Sequence, residues 1–130
     1  GSGSFGLECF SRGAKDVIFI ENYKQAVGTL KKNVLSLEAE KSCQIIEEDC
    51  FNFFNSNKKI SHQFDIIFID PPYKIENIYL LLLKILNNKI KSEYTFVIIE
   101  TAKEEKITIP EGLTLFREKV YGKTKILFLN

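Results

Sequence analysis

Four short segments of the chain are almost continuously apolar, and longer amphipathic segments lie between them. The apolar segments are residues 16–21, 43–48, 64–70 and 94–101. Strands of this composition are buried on both faces, as in a parallel sheet that carries helices on each side. The amphipathic segments, at about residues 4–12, 23–38, 50–55 and 75–87, predict the helices. The alternation therefore predicts an α/β fold built on a doubly wound sheet.

The pattern changes after Pro110. Residues 113–120 and 123–129 alternate apolar with polar side chains on either side of Tyr121-Gly122-Lys123, which predicts a C-terminal antiparallel hairpin. Repeated βα units that end in such a hairpin are typical of the Rossmann-like methyltransferase sheet, whereas a dinucleotide-binding sheet usually continues in parallel. A length of 130 residues, 45% of them hydrophobic, fits one domain that spans residues 1–130.

The glycine pattern Gly1-x-Gly3-x-x-Gly6 opens the sequence, so no strand precedes it. In a doubly wound sheet the strand before such a loop is normally central, and without it two neighbouring strands are unpaired. We therefore expect that the first strand of the domain is missing from this sequence, and that residues upstream of Gly1 have been lost to truncation or are present in the molecule outside this sequence. The alternative is that the first four residues are a cloning remnant.

Charge and cysteine content narrow the class of protein. The 18 basic and 17 acidic residues give a net charge of +1, so nucleic acid is permitted as a partner but not indicated by charge. Cys9, Cys43 and Cys50 form no Cys-x-x-Cys pair, which argues against a disulfide framework or zinc site and favours a reducing compartment. The longest apolar run, residues 78–83, is too short for a membrane span. We expect a cytoplasmic protein that binds no membrane.

Two carboxylates at strand ends suggest a nucleoside-containing cofactor. Glu21 stands 15 residues after Gly6 (21 − 6 = 15) and can accept both hydroxyl hydrogens of a ribose, with Asn22 next to it, although an isolated strand-end glutamate is often simply exposed. Asp49, followed by Cys50, can accept from an adenine amino group or cap the helix that follows, and both roles are compatible. Together with the glycines these residues fit NAD and S-adenosylmethionine equally.

The sequence Asp70-Pro71-Pro72-Tyr73 closes the third apolar segment. The prolines end the strand and fix the direction of the groups around them. An exocyclic amine on a planar base is a poor nucleophile because its lone pair is delocalised into the ring. Asp70 and the Pro71 carbonyl can accept the two amine hydrogens, and Tyr73 can stack on the base. The motif therefore predicts an amino-methyltransferase, and the alternative is an ordinary Pro-Pro turn.

The segments GSGSFGLECFSRGA, IFIENYKQA, EEDCFNFF, FDIIFIDPPY and LFREKVYGKTKILFL resemble the RsmD family of 16S rRNA guanine-N2 methyltransferases over essentially the whole chain. The resemblance implies an S-adenosylmethionine-dependent enzyme that acts as a monomer on 16S rRNA or the assembling small subunit, with no metal. It implies a catalytic group of Asp70, Pro71, Pro72 and Tyr73. The cofactor-binding residues that it implies are Gly1, Gly3, Gly6, Glu21, Asn22, Asp49, Cys50 and Asp70.

Members of that family carry a strand and an Arg-rich segment ahead of the glycine loop, and this sequence has neither. Other functions also stay open. The Asp-Pro-Pro-Tyr motif is shared with amino-methyltransferases that act on DNA adenine or protein glutamine. The glycine pattern also permits an NAD-dependent oxidoreductase fragment or an inactive nucleotide-binding fragment. His62, the only histidine, has no partners in the sequence for a hydrolase or metal site.

Overall fold

The structure, a computed structural model, describes residues 1–56, 60–71 and 76–130. The helices and strands predicted from the sequence are confirmed, and their ends are shifted by a few residues at most. No helix within the described ranges is long and apolar enough to cross a membrane. In chain order the elements are α1 (Ser4–Ser11), β1 (Val17–Ile20), α2 (Lys24–Ser36), β2 (Cys43–Ile46), α3 (Cys50–Asn55), β3 (Phe64–Ile69), α4 (Glu76–Asn87), β4 (Lys91–Ala102), β5 (Leu115–Tyr121) and β6 (Thr124–Leu129).

The described strands form two sheets. The first pairs β1 and β2 in parallel, from Val17 opposite Cys43 to Ile20 opposite Ile46. The second has the order β3-β4-β6-β5. In it β3 and β4 are parallel, and β6 is antiparallel to both β4 and β5. The chain thus has the predicted α/β architecture with its C-terminal antiparallel hairpin.

The chain divides into two compact units, Gly1–Asn57 and Lys58–Asn130. The first unit contains α1 to α3 with the parallel pair β1 and β2. Its buried cluster joins α1, α2 and β2 through Leu7, Leu30, Val34, Ala39 and Cys43. The second unit contains α4 and the mixed sheet. The expectation of one domain over residues 1–130 stays a prediction.

The mixed sheet of the second unit has one strongly buried face. Val97 lies opposite Leu129, and Ile99 lies opposite Leu127. All four of these side chains are at most 4% exposed. Successive side chains in a strand alternate between faces, so Glu100, which follows Ile99, lies on the other, more accessible face. Buried side chains on α4 recur at helical spacing and are Ile78, Leu82 and Ile85.

Candidate functional site

The glycine loop of the first unit is shaped by close packing between α1 and β1. Gly3 precedes α1 with φ of 83°, a left-handed conformation that favours glycine, and its carbonyl accepts from the Leu7 N–H at 2.9 Å. Gly6 lies within α1 and faces β1. A Cβ atom on Gly6 would lie 2.4 Å from Phe19 Cε1 and 2.9 Å from Val17 Cγ1. Gly3 therefore allows the left-handed conformation at which α1 starts. Gly6, which has no side chain, allows α1 to approach β1 closely.

Glu21 follows β1 and holds its carboxylate beside the start of the glycine loop. Its Oε1 accepts from the backbone N–H groups of Asn22 at 3.0 Å and Tyr23 at 2.9 Å, and its Oε2 accepts from the Gly1 amino group. Burial by itself would raise the pKa of Glu21. The hydrogen bonds, together with the positive charge of the Gly1 amino group, outweigh burial, so the pKa lies below its ordinary value of 4.5. The Glu21 carboxylate is thus oriented by the backbone that follows β1.

A side chain of α2 also fixes the loop. Asn33 Nδ2 donates to the Ser2 carbonyl at 3.0 Å, across 31 residues of chain. The hydroxyl groups of Ser2 and Ser4 lie 2.7 Å apart. Sequence reasoning missed Asn33, because a polar residue inside an amphipathic helix carries no sign that it faces a distant loop. We assign Asn33 a positioning role for the backbone between the predicted binding glycines.

Asp49 caps α3. Its Oδ1 accepts from the Phe51 N–H at 2.9 Å and the Asn52 N–H at 3.2 Å, and its carbonyl accepts from the Phe53 N–H at 2.9 Å. Of the two roles considered for Asp49, the structure shows the capping role. Only Oδ1 takes part in these side-chain bonds. Adenine recognition by Asp49 and Cys50 stays a prediction.

The cap gives a first prediction. Asp49→Ala should lower the free energy of unfolding by about 1 kcal/mol, because two N–H groups at the start of α3 lose their acceptor. Asp49→Asn keeps an acceptor oxygen and should lose only a small part of that stability. Urea denaturation followed by circular dichroism measures both variants. Equal losses for the alanine and asparagine variants would contradict the capping role.

The cysteines of the chain, Cys9, Cys43 and Cys50, are free thiols. Burial raises the pKa of each thiol, and the negative charge of Asp49 adds to the effect at Cys50. A thiol with a raised pKa stays protonated at neutral pH and is a weak nucleophile. The three thiols are therefore weak nucleophiles at neutral pH, and Cys43 packs in the buried cluster of the first unit.

Asp70 lies in the second unit, at the carboxyl end of β3. It is exposed and directly precedes the half-buried Pro71. Pairing of Ile69 with Ile99 places the following residues, Asp70 and Glu100, side by side at one edge of the sheet. Burial, and then the negative charge of Asp70, raises the pKa of Glu100. The other two residues of the predicted catalytic group, Pro72 and Tyr73, lie outside the described residues and stay predictions.

The sequence analysis did not identify Glu100, because an apolar run does not show which residues pair across the sheet.

The raised pKa of Glu100 gives a second prediction. Since folding raises the pKa, the ionised carboxylate destabilises the folded chain above that pKa. The penalty disappears as the pH falls below the ordinary value of 4.5, where the carboxyl is protonated in both states.

Glu100→Gln should therefore raise the free energy of unfolding at neutral pH by less than about 1 kcal/mol, because the carboxylate is only partly buried. The gain should vanish below pH 4.5. Urea denaturation at the two pH values measures it. The control is Glu93→Gln, which changes an exposed residue of the same strand. A gain that persists at the acidic pH would contradict the electrostatic explanation.

A shallow surface depression of the second unit is separate from this carboxylate pair. Its lining includes Gln63, Lys91 and Tyr94. These residues lie where β3 and β4 begin, whereas Asp70 and Glu100 lie toward the opposite ends of the two strands. The depression is therefore not part of the candidate site.

The whole chain, residues 1–130, matches the family described as Conserved hypothetical protein 95. It is 32% identical over 123 residues to ribosomal RNA small subunit methyltransferase D of Haemophilus influenzae, a match that covers 94% of this chain and 63% of the relative. It is 33% identical over 129 residues to the Bacillus subtilis protein YlbH, which is provisionally named an rRNA methyltransferase. That match covers 97% of this chain and 69% of the relative. The chain thus spans about two thirds or less of the length of such relatives.

A solved structure described as a methylase of Haemophilus influenzae superposes on the chain with a TM-score of 0.84 and 29% identity. The match covers 99% of this chain and 80% of that one. The parallel strands, helices and terminal antiparallel hairpin are accordingly those of a class I methyltransferase fold. From the family match along its entire length and these relatives, the chain belongs to the RsmD family.

Proposed function

We propose that the protein transfers a methyl group from S-adenosylmethionine to the N2 amine of a guanine in 16S ribosomal RNA. The observation that carries the proposal is the exposed carboxylate of Asp70, held at the carboxyl end of a parallel strand directly before Pro71. Family membership supports the reaction class, since relatives are named for methylation of small-subunit ribosomal RNA. The choice of guanine N2 rests on the resemblance of the motifs.

The first unit offers groups that fit the adenosyl part of the methyl donor. Glu21 is a carboxylate with its side chain 20% exposed, ionised at neutral pH and oriented by the N–H groups of Asn22 and Tyr23. Such a group suits ribose hydroxyls, which donate hydrogen bonds. We propose that Glu21 and the loop from Gly1 to Gly6 hold the donor. When bound, S-adenosylmethionine would supply an electrophilic methyl group, whose bond to sulfur breaks as the bond to nitrogen forms, with S-adenosylhomocysteine as the leaving group.

The second unit would prepare the amine. The Asp70 carboxylate and the Pro71 carbonyl would accept the two hydrogens of the amine. These two hydrogen bonds favour a pyramidal nitrogen with a localised lone pair. Methylation gives that nitrogen a positive charge, and the Asp70 carboxylate stabilises the charge as it develops. In the proposed arrangement Asp70 also takes the proton that the nitrogen then releases. Positioning by the rigid backbone at Pro71 adds to the rate.

The proposal is tested with the purified protein, methyl-labelled S-adenosylmethionine and 16S ribosomal RNA. After digestion to nucleosides, mass spectrometry should find the label in N2-methylguanosine. Label in DNA adenine or in protein glutamine, offered in parallel reactions, would contradict the proposed substrate. Thermal stabilisation by NAD but not by S-adenosylhomocysteine would contradict the cofactor and favour an oxidoreductase.

Cofactor binding gives a third prediction. Glu21→Gln should weaken the affinity for S-adenosylhomocysteine about tenfold or more, because a charged acceptor for the ribose hydroxyls is replaced by a neutral amide. Isothermal titration calorimetry measures the change. Glu40→Gln, which alters an exposed glutamate ahead of β2, serves as the control and should bind like the wild type. An unchanged affinity of the Glu21 variant would exclude the ribose role.

A further inference from the structure

The C-terminal hairpin closes at the same edge of the sheet where Asp70 lies. The parallel strands β3 and β4 both run toward that edge. Because β6 is antiparallel to β4, it begins there, with Thr124 opposite Ala102. Because β5 is antiparallel to β6, it ends there, with Tyr121 opposite Thr124. The topology therefore brings the Tyr121–Thr124 turn to the edge that carries the proposed amine site.

A row of paired residues connects the amine site with the hairpin. Glu100, beside Asp70, lies opposite Ile126, and Ile126 lies opposite Lys119. Directly paired residues share a face of the sheet, so Glu100 and Lys119 are on the same face. Lys119 is three inter-strand spacings from Asp70, or about 14 Å. Tyr121, two residues further along β5, projects from that face as well.

The hairpin turn is accessible and anchored. Tyr121 is 56% exposed, and Lys123 is exposed. The Lys123 carbonyl accepts from the Lys103 N–H at 2.8 Å, which ties the turn to the segment after β4. Within the described part of the chain, neither Lys119 nor Lys123 forms an ion pair. Lys119 is half-buried and Lys123 is exposed, so the ammonium groups of both can meet an external anion.

Positive charge is concentrated in this hairpin. Residues 117–125 contain four basic side chains and one acidic side chain. The rest of the chain contains 14 basic and 16 acidic side chains, a net charge of −2, although the whole chain carries +1. The hairpin is therefore the basic segment of a chain whose remainder is slightly acidic. Glu104 and Glu105 lie in the segment that contacts the turn, and the Lys125 ammonium donates to the Glu105 carbonyl, so Lys119 and Lys123 are the hairpin lysines considered for an external anion.

We propose that Lys119, Tyr121 and Lys123 form an RNA-docking edge that binds the single-stranded segment around the target guanine. The lysines bind phosphate groups, and Tyr121 stacks on a base next to the target. A single strand fits because the target base must leave its stack before its amine is reached. The inference rests on the proposed function and adds to it the surface that holds the substrate.

The test compares three forms of the protein by fluorescence anisotropy with a labelled single-stranded fragment of 16S ribosomal RNA, over a series of salt concentrations. They are the wild type, the Lys119→Gln/Lys123→Gln variant and the Tyr121→Leu variant. The control is Lys15→Gln/Lys41→Gln, which removes the same charge from exposed positions ahead of β1 and β2. Thermal unfolding and calorimetry with S-adenosylhomocysteine establish that each variant is folded.

The lysine variant should bind RNA about tenfold more weakly, with the salt dependence of log K reduced by about 0.7 for each lost phosphate contact. Tyr121→Leu should weaken binding about fivefold or more and leave the salt dependence unchanged. Wild-type affinity in the lysine variant, or a loss matched by the control, would overturn the docking edge. A lysine effect without a Tyr121 effect would also overturn it, because the lysines would then bind phosphate without a base stacked on Tyr121.

These outcomes are separate from failure of the proposed function. RNA binding is measured without methyl transfer, so the docking edge is judged even if the reaction has another substrate. If the wild type methylates guanine and the lysine variant binds RNA normally, only the docking edge is excluded. If the hairpin variants lose RNA affinity but the wild type forms no N2-methylguanosine, the proposed reaction is excluded.

Discussion

Asp70→Asn is expected to lower the rate of methyl transfer to 16S ribosomal RNA by about 100- to 1,000-fold. The substitution keeps the shape of the side chain at the end of β3 and removes its negative charge. Without the charge, the developing positive nitrogen loses its stabilising partner, and the released proton loses its acceptor. Single-turnover transfer of a labelled methyl group, at saturating donor, measures the chemical step.

The matched control for this variant is Asp65→Asn. Asp65 is another exposed aspartate of β3, but it lies near the beginning of the strand rather than at the edge with Asp70. The control should retain wild-type transfer, and both variants should bind S-adenosylhomocysteine with an affinity near that of the wild type. Retained transfer by Asp70→Asn would exclude Asp70 from catalysis. Loss of donor binding in that variant would instead assign Asp70 to the cofactor.

The helices and strands of the chain could be predicted because their patterns are local. The helix predicted over residues 50–55 is α3 (Cys50–Asn55) as observed. The clearest shift is at β4, which begins at Lys91 rather than at residue 94. There the Thr95 hydroxyl donates to the Phe64 carbonyl at 2.5 Å and accepts from the Ser92 N–H at 2.9 Å. The pairing of β3 with β4 shifts register over these residues, between Phe64–Lys91 and Ile66–Phe96, so this part of the strand has no regular apolar pattern to read.

The candidate site could be predicted only where position in the chain fixes position in space. Glu21 was expected at the carboxyl end of a strand, and it directly follows β1 (Val17–Ile20). Glu100 was missed because its position beside Asp70 depends on strand register. Asn33 was missed because its bond to the Ser2 carbonyl depends on how α2 packs against the loop. An apolar run predicts a strand, but it does not determine which residue lies beside another across the sheet.

Gly6→Ala is expected to lower the free energy of unfolding by about 1–3 kcal/mol, because the added methyl group overpacks the contact between α1 and β1. It would lie 2.4 Å from Phe19 Cε1, 2.7 Å from Phe19 Cζ and 2.9 Å from Val17 Cγ1. Part of the clash can be relieved by rotation of the Phe19 ring, but Val17 is short and stiff in its strand. Urea denaturation followed by circular dichroism measures the loss.

The matched control is Gly28→Ala, because Gly28 lies within α2 and a Cβ atom there would meet nothing within 4 Å. That variant should gain about 0.5–1 kcal/mol from the higher helix propensity of alanine. The same chemical change in one unit should thus have opposite signs at two helical positions. Phe19→Leu should reduce the cost of Gly6→Ala, since the two sites share the contact and their effects are coupled. Two results would contradict close packing of α1 against β1 at Gly6. One is a gain in stability on Gly6→Ala, and the other is an equal loss of stability from Gly6→Ala with and without Phe19→Leu.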